Sequence, residues 1–415
     1  MDFRLSEDQR AIQAAARELA RTEFAPHAAE YDRSHTFPRR NFELLAQGGY
    51  LGMTLPSRYG GRDADYLSYT LCVEAFSQAC ATTGVIFEVH NSLHSEAIYN
   101  HGSEAQRERF LPPLCRGERL GAYALTEPNA GSDAAAIQTT AVRAPGGWRL
   151  TGRKVFITNG GQADEYLVYA STSPDCGSHG ITCFIVAQDT PGISFGPPLE
   201  KLGIRASATT DVILEDVFVP DDRVLGEVDE GYKIALRTLH GGRIGIAAQA
   251  VGILQESLDN AARYVLNHKE GEARLADRQT VQWHLAEMVT NLEAARLLLY
   301  RASWLHAQGI RATKEISMAK LFASRVAMEG TLRGVELLGG DGYRSDGPQE
   351  RLMRDAKITE IYEGTSEVQR LVVARALLGE YQDGGGIPGA RAEHRARSDS
   401  TRREDSPHYG AVGPS

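Results

Sequence analysis

The sequence predicts an α+β protein in which a central β-domain separates two helical regions. Residues 1–120 and 233–380 carry apolar side chains at the spacing of three and four that is typical of amphipathic helices. Between them, residues 121–232 contain short apolar runs broken by proline, glycine, asparagine and aspartate, which is typical of strands and turns. We therefore expect an N-terminal helical domain, a central β-domain and a C-terminal helical domain.

The local composition supports this division. The stretch QRAIQAAARELARTEFA in the first region is rich in alanine, leucine, glutamate and arginine, which have high helix propensity. In the central region the strand candidates are KVFIT, EYLVYA, ITCFIVA and TTDVILEDVFVP. Each is short and ends at turn-forming residues, so this region is predicted to be a sheet domain.

Long helices are predicted in the third region. An apolar stripe over residues 281–302 alternates spacings of four and three, as expected of a helix buried in a bundle. Helices are also predicted over about 234–267 and 313–338, and the second of these should end at Gly339-Gly340.

A last helix should begin near Ser366, because Ser366 and Gln369 have the spacing of a capping box, and should stop at Gly379. Beyond it, residues 381–415 are rich in glycine, serine, aspartate and arginine and poor in large apolar residues, so we expect a disordered tail.

Composition excludes several functional classes. The formal net charge of −9 argues against a nucleic-acid partner, since phosphate binding requires concentrated basic surface. No apolar run approaches membrane-spanning length, and the N-terminal MDFRLSEDQR has no apolar segment of a secretory signal. The five cysteines form no C-x-x-C pair, so neither a disulfide framework nor a metal site is indicated, and a cytoplasmic location is expected.

Four segments contain candidate functional residues: YALTEPNAGSD (123–133), FITNG (156–160), HGGRIGIAAQAVG (240–252) and RDAKITEIYEGTSEVQRLVVAR (354–375). On composition alone the first is a solvent-facing turn, the second a strand end and the third a tightly packed helix. In the fourth, Glu363 precedes the last helix, where an acidic residue commonly interacts with the helix dipole. A catalytic role for Glu363 stays open at this level.

Taken together and in this order, these segments resemble the acyl-CoA dehydrogenase family over roughly residues 1–380. EKLGIRASATTDVILEDVFVP resembles the β-domain of the family, and RDAKITEIYEGTSE resembles a loop of its short-chain members. The resemblance implies an N-terminal helical domain, a central β-barrel-like domain and a C-terminal four-helix bundle, assembled as a homotetramer. It also implies FAD as cofactor, α,β-dehydrogenation of a short or branched acyl-CoA to the trans-2-enoyl thioester, and an electron-transfer flavoprotein as acceptor.

The resemblance also assigns roles to residues, with Glu363 as the base that removes the α-proton. Some members place this base on the helix before Arg243, where this chain has Gly242, which cannot ionise. Cofactor contacts are implied at Tyr123, Thr126, Ser132, Phe156, Thr158, His268, Gln279, Glu336, Gly339, Gly340, Thr365 and Glu367. Substrate contacts are implied at Ser132, His240, Arg243 and Gly364.

Several positions depart from the family pattern. His240 stands where the family commonly has Asp, His268 where it has Arg, and Glu336 where it has Gln. Gly271 and Glu272 replace the usual Phe-Gly. These changes suggest weaker binding of FAD or altered recognition of the CoA end.

Two alternatives therefore stay open beside the leading interpretation. The first is a dehydrogenase of an acyl group tethered to a carrier protein in a biosynthetic pathway. The second is a flavin-poor, non-catalytic homologue.

Overall fold

The computed structural model describes residues 4–382 of the 415-residue chain. Within that span no helix combines the length and apolarity needed to cross a membrane. Most of the predicted tail, residues 383–415, lies outside the described residues. Residues 381 and 382 instead belong to the last helix.

The N-terminal region is helical, as predicted. Its α-helices are α1 Glu7–Leu19, α2 Ala25–Ser34, α3 Arg39–Gln47, α4 Tyr66–Ala79, α5 Ala81–Glu88, α6 Glu96–His101 and α7 Glu104–Cys115. Two π-helical segments, Ala20–Phe24 and Val89–Ser95, continue α1 into α2 and α5 into α6. α1 and α7 each begin with a complete capping box, at Ser6 and Ser103.

The central region forms one mixed eight-stranded sheet. Its strands are β1 Gly121–Ala124, β2 Thr140–Ala144, β3 Gly147–Thr158, β4 Glu165–Ser171, β5 Ile181–Ala187, β6 Ile193–Phe195, β7 Thr209–Pro220 and β8 Val224–Leu225. The strand order is β6-β7-β3-β2-β4-β5-β8, and β1 pairs in parallel with β4. β4 and most of β5 are buried on both faces, which explains why EYLVYA and ITCFIVA are nearly continuous apolar runs.

The C-terminal region is a bundle in which α10 packs against α8, α9 and α13. Its helices are α8 Gly231–Asn267, α9 Gln279–Ala307, α10 Thr313–Leu338, α11 Gly340–Tyr343, α12 Gln349–Ile358 and α13 Ser366–Gln382. A small hairpin, β9 Lys269–Glu270 and β10 Ala273–Arg274, joins α8 to α9. α8 also packs along α4, so the bundle and the N-terminal helices share one hydrophobic core.

Two details of the last helix differ from the sequence expectation. Thr365, rather than Ser366, caps α13, since its Oγ1 accepts the Val368 N–H at 3.3 Å. The side-chain amide of Gln369 is directed away from a capping box and donates to the carbonyl of Gly364 at 3.0 Å. The predicted stop at Gly379 is also wrong, because this glycine has no positive φ and the helix continues through it.

A buried ion cluster links the three regions. Arg354 on α12 donates to both carboxylate oxygens of Asp32 on α2, at 3.1 and 2.7 Å. It also donates to Glu350 on its own helix and to the carbonyl of Leu202 in the loop before β7. One guanidinium therefore contacts the N-terminal helices, the sheet domain and the bundle.

Candidate active site

Glu363 lies in the loop between α12 and α13, where the chain turns sharply. Its φ is 53° and that of Gly364 is 95°, so two successive residues adopt left-handed backbone conformations. This costs a non-glycine residue such as Glu363 about 1–3 kcal/mol. The turn directs the carboxyl inward, so that Oε2 is enclosed by the protein although the residue as a whole is only half-buried.

The space for this carboxyl is created by a missing side chain on α8. A Cβ added at Gly242 would lie 1.9 Å from Glu363 Oε2 and 2.7 Å from Leu93 Cδ2. Only glycine therefore leaves room for the carboxyl in its observed position. Position 242 is where some family members carry the base, and this geometry explains that alternative, because positions 242 and 363 face the same point.

Basic and polar side chains hold the loop in place. Arg243 Nε donates to the carbonyl of Glu363 at 3.3 Å, and Lys320 Nζ donates to the carbonyl of Gly364 at 2.8 Å. The Tyr362 hydroxyl donates to Gln249 Oε1. Two cations thus lie beside the Glu363 carboxyl, each bound to the loop backbone.

The electrostatic setting places the titration of Glu363 near neutral pH. Burial raises its pKa to about 7, although a hydrogen bond with Glu88 and the charges of Lys320 and Arg243 lower it. Burial in turn lowers the pKa of Lys320 to about 8. A carboxyl of this kind is available as a base at neutral pH.

The hydrogen-bonding partner of Glu363 is a second carboxyl that sequence reasoning missed. Glu88 is fully buried at the end of α5, and a Cβ at Gly245 would lie 2.3 Å from its Cγ. Burial and the charge of Glu363 raise its pKa well above the ordinary value. Its one sequence signal was an acidic residue within the otherwise apolar run GVIFEV.

On the sheet side, the structure brings three of the implied cofactor positions together. The carbonyl of Thr126 accepts the Val155 N–H at 2.8 Å, next to Phe156 on β3. Phe156 has a positive φ and is 67% exposed, and Thr158 follows on the same strand. Burial raises the pKa of Tyr123 on β1, and the charge of Glu363 adds to this rise. Ser132 lies in the exposed turn that follows β1.

A buried ion pair that was not predicted fixes this edge of the sheet. Lys154 Nζ donates to Glu127 Oε1 at 2.6 Å and to the Leu125 carbonyl at 3.1 Å. The Glu127 carboxylate also accepts the backbone N–H groups of Gln138 and Thr139. These contacts set the turn from Thr126 to Ser132 against β3.

A second set of implied cofactor positions lies at the far end of the bundle. We call it the bundle-end group; it consists of His268, Gln279, Glu336, Gly339 and Gly340, and all five are exposed. The His268 ring stacks on Tyr264 with centroids 4.8 Å apart, and the Tyr264 hydroxyl donates to Asp341 at 3.0 Å. These contacts connect the end of α8 to the start of α11.

Three remaining implied positions lie elsewhere. Thr365 and Glu367 are at the first turn of α13, where Glu367 pairs with Arg370 at 3.2 Å. His240 is one turn before Arg243 on α8, 3.4 Å from the Thr313 hydroxyl. Burial and the neighbouring Arg243 lower the pKa of His240 to about 4, so it is neutral at neutral pH.

Solved structures with this architecture define the class of protein. The chain is similar to butyryl-CoA dehydrogenase from Megasphaera elsdenii, with 42% identity and a TM-score of 0.90 over 91% of this chain and 100% of that one. It is equally similar, at 44% identity and a TM-score of 0.90, to a chain in a structure of the electron transferring flavoprotein of Acidaminococcus fermentans; 91% of this chain and 100% of that chain are covered. The protein is an FAD-dependent oxidoreductase.

The chain belongs to the acyl-CoA dehydrogenase family. Its residues 6–118, 122–217 and 229–378 match the family models for the N-terminal, middle and C-terminal domains of acyl-CoA dehydrogenase. It is 46% identical over 378 residues to the short-chain specific acyl-CoA dehydrogenase of Clostridium acetobutylicum, covering 91% of this chain and all of that protein. The expected fold class, family and cofactor are confirmed.

The residues present fit FAD. Phe156 offers an exposed ring, Thr158 follows it on β3, and the Thr126 backbone bonds to the adjacent Val155, which suits a planar ring system with polar edges. A Cβ at Gly339 or Gly340 would meet no atom within 4 Å, so the backbone there is open to close approach by a ligand. The protein thus offers suitable groups for both ends of an extended dinucleotide, at Phe156 on the sheet side and at Gly339 and Gly340 at the bundle end.

Proposed function

We propose that the protein dehydrogenates a short or branched acyl-CoA to its trans-2-enoyl thioester, with Glu363 as the base. The proposal rests above all on one observation: the Glu363 carboxyl occupies the space left by Gly242, with a pKa raised to about 7. It is further supported by relatives named as short-chain specific acyl-CoA dehydrogenase and as butyryl-CoA dehydrogenase.

In this proposal Glu363 accepts the proton from the α-carbon of the thioester through its carboxylate. The left-handed turn at Glu363 and Gly364 aims backbone N–H groups at the thioester carbonyl, whose negative charge grows as the proton leaves. Arg243 and Lys320 hold the loop by its carbonyls, so the donors and the carboxylate keep a fixed relation.

FAD, when bound, supplies the hydride acceptor for the β-carbon. The chain contributes Tyr123, Thr126, Phe156 and Thr158 on the ring side. Ser132, His240, Arg243 and Gly364 would bind the thioester and the CoA moiety. The bundle-end group, Thr365 and Glu367 would bind the remainder of the cofactor.

The partners follow from the same proposal. Electrons pass to an electron-transfer flavoprotein, in keeping with the Acidaminococcus fermentans structure that the chain matches. A homotetramer is proposed from the family resemblance, and a cytoplasmic location from the cysteines, which form no C-x-x-C pair. The exposed bundle-end group is consistent with a site that a neighbouring subunit completes.

The test is anaerobic bleaching of the bound flavin by a panel of acyl-CoA thioesters. We expect full bleaching by butyryl-CoA or a branched C4–C5 analogue, with slower reduction as the chain lengthens. The same acyl group on a carrier protein forms the second arm. Faster bleaching by the carrier-protein thioester would favour the biosynthetic alternative, and protein that stays colourless with added FAD would favour the non-catalytic one.

A further inference from the structure

A polar stripe lines one side of the proposed base and crosses an otherwise apolar core. Glu88, Ser92 and Glu96 recur every four residues along α5, the π-helical segment and α6, and all three are buried. They face a run of glycines on α8. A Cβ at Gly245 would meet Glu88, and a Cβ at Gly241 would meet Ser92 at 3.4 Å and Glu96 at 3.3 Å.

One oxygen of each of two neighbouring carboxyls, Glu88 and Glu363, lacks a donor among the described residues. Glu88 Oε1 accepts the Ser92 hydroxyl, but Oε2 of Glu88 and Oε2 of Glu363 are both enclosed and, within residues 4–382, have no donor while both groups are ionised. An unpaired buried carboxylate oxygen is costly. A single proton between the two groups satisfies both atoms, because a protonated carboxyl can donate to a carboxylate.

We propose that Glu88 is a positioning residue that shares a proton with Glu363, keeping the base ionised at neutral pH and directed into the pocket. The inference rests on the proposed function, in which Glu363 is the base. Glu88 holds the proton because its carboxyl is fully buried beside the charge of a second carboxyl, whereas Glu363 lies beside the charges of Arg243 and Lys320. Protonated Glu88 then donates to the Glu363 carboxylate.

Other groups facing the pair do not replace this contact. Lys320 and Arg243 are occupied with the carbonyls of Gly364 and Glu363. The Tyr69 hydroxyl on α4 is enclosed near Glu88 and Glu96, and their charges raise its pKa further above the ordinary value, so it stays neutral. Within the described part of the chain, further titratable groups around the pair are Tyr362 in the loop, Tyr123 on β1 and Glu96 on α6.

The test compares Glu88→Gln and Glu88→Leu in the holoenzyme. Glutamine keeps a donor for Glu363, and leucine keeps the volume but removes the donor. The rate of flavin reduction by butyryl-CoA, measured by stopped flow, should fall at low pH as Glu363 becomes protonated, and we call this part of the pH profile the acid limb. In the leucine variant the acid limb should move up by about one to two pH units, the equivalent of one lost charge-assisted hydrogen bond. The glutamine variant should keep the wild-type limb.

Glu96→Gln is the matched control. It removes a carboxyl from the same polar stripe, but Glu96 bonds to Thr54 at 2.5 Å rather than to Glu363, so the limb should not move. An equal shift in all three variants would indicate a general change of the core and would overturn the proposal. An unshifted limb in Glu88→Leu would overturn it as well.

Infrared difference spectroscopy provides a readout that needs no turnover. The wild type should show the C=O stretch of a protonated buried carboxyl at pH 8, and this band should vanish in Glu88→Gln. A band that persists in that variant contradicts the assignment. In Glu363→Gln the band should remain but shift, because Glu88 keeps its proton and bonds to an amide instead of a carboxylate. If that variant still reduces flavin, Glu363 is not the base and the proposed function fails, whereas the band still supports a protonated Glu88.

Discussion

The pocket around Glu363 and the bundle-end group differ in how completely one chain builds them. In the pocket, residues from α5, α8, α10 and the α12–α13 loop enclose the Glu363 carboxyl. The carbonyls of Glu363 and Gly364 there accept donors at 2.8–3.3 Å. In the bundle-end group every residue is exposed, and the chief contact is one ring stacked on another.

The difference indicates at which of the two sites a substitution should disturb the structure more. In the pocket, a single methyl group added at Gly242 would overlap the base and displace its carboxyl. At the bundle end, solvent accommodates a changed side chain, and local partners absorb its charge. Glu336 pairs with Arg333, and Glu270 pairs with Arg278 at 3.3 Å. The departures from the family pattern are concentrated in the second kind of site.

The most severe way to break the pocket is Glu363→Gln. The amide keeps the shape but cannot accept a proton, so we expect flavin reduction to fall by at least about 10²–10⁴-fold, with folding and thioester binding retained. Stopped-flow reduction and a binding titration with an acyl-CoA measure the two properties separately. Near-normal reduction would place the base on another residue.

Gly242→Ala tests the shape of the pocket alone. The new Cβ would displace the Glu363 carboxyl by an ångström or more, and we expect about a 100-fold loss in the rate of flavin reduction. The melting temperature should change little, because the displaced atoms end a flexible side chain. Gly379→Ala is the matched control, since its Cβ meets no atom within 4 Å; a comparable loss there would contradict the steric explanation.

The pH dependence of the wild type sharpens the comparison further. Because only the ionised carboxyl accepts a proton, and its pKa is raised to about 7, the rate of flavin reduction should rise with pH and level off above about 7. Below that value it should fall about tenfold per pH unit. An acid limb at the ordinary pKa of a glutamate would show that burial of the carboxyl is lost in the holoenzyme.

At the bundle end, His268→Arg should increase the retention of FAD, which is a smaller effect than those expected in the pocket. A guanidinium can make a charge-assisted contact to the pyrophosphate, which favours retention of FAD by about tenfold or more. Arg333 and Arg278 already neutralise two of the nearby carboxylates, so we expect the lower end of that range. Flavin retained after ultrafiltration is the measurement, with His268→Gln as control; equal retention by all three proteins would show that position 268 does not face the cofactor.

The order of the three regions and the long helices could be predicted because apolar periodicity reflects burial directly. The ends of elements depended on side-chain choices that periodicity does not encode. Thr365 caps α13 because Gln369 is used to bind the loop carbonyls, and Gly379 continues the helix because it is free to adopt helical φ. The π-helical segment that carries Ser92 also has no sequence signature.

For the site, motif order identified Glu363, and Gly242 was relevant because the two positions meet in space. Glu88 and the Lys154–Glu127 pair could not be predicted, since each acts on a partner that is remote in sequence. Such pairs become visible only when the packing of α5 on α8, or of the β1 turn on β3, is known.

The ion cluster around Arg354 has a consequence for how the protein unfolds. A guanidinium bound at once to Asp32, Glu350 and the Leu202 carbonyl cannot keep its partners if any one region separates, and breaking a buried ion pair on one side costs several kcal/mol. The three regions should therefore melt in one cooperative transition in calorimetry, and Arg354→Met should lower its midpoint because Asp32 and Glu350 then stay in place without their partner. In the wild type, a proteolytic cut that unfolds any one region should therefore make all three regions susceptible to degradation.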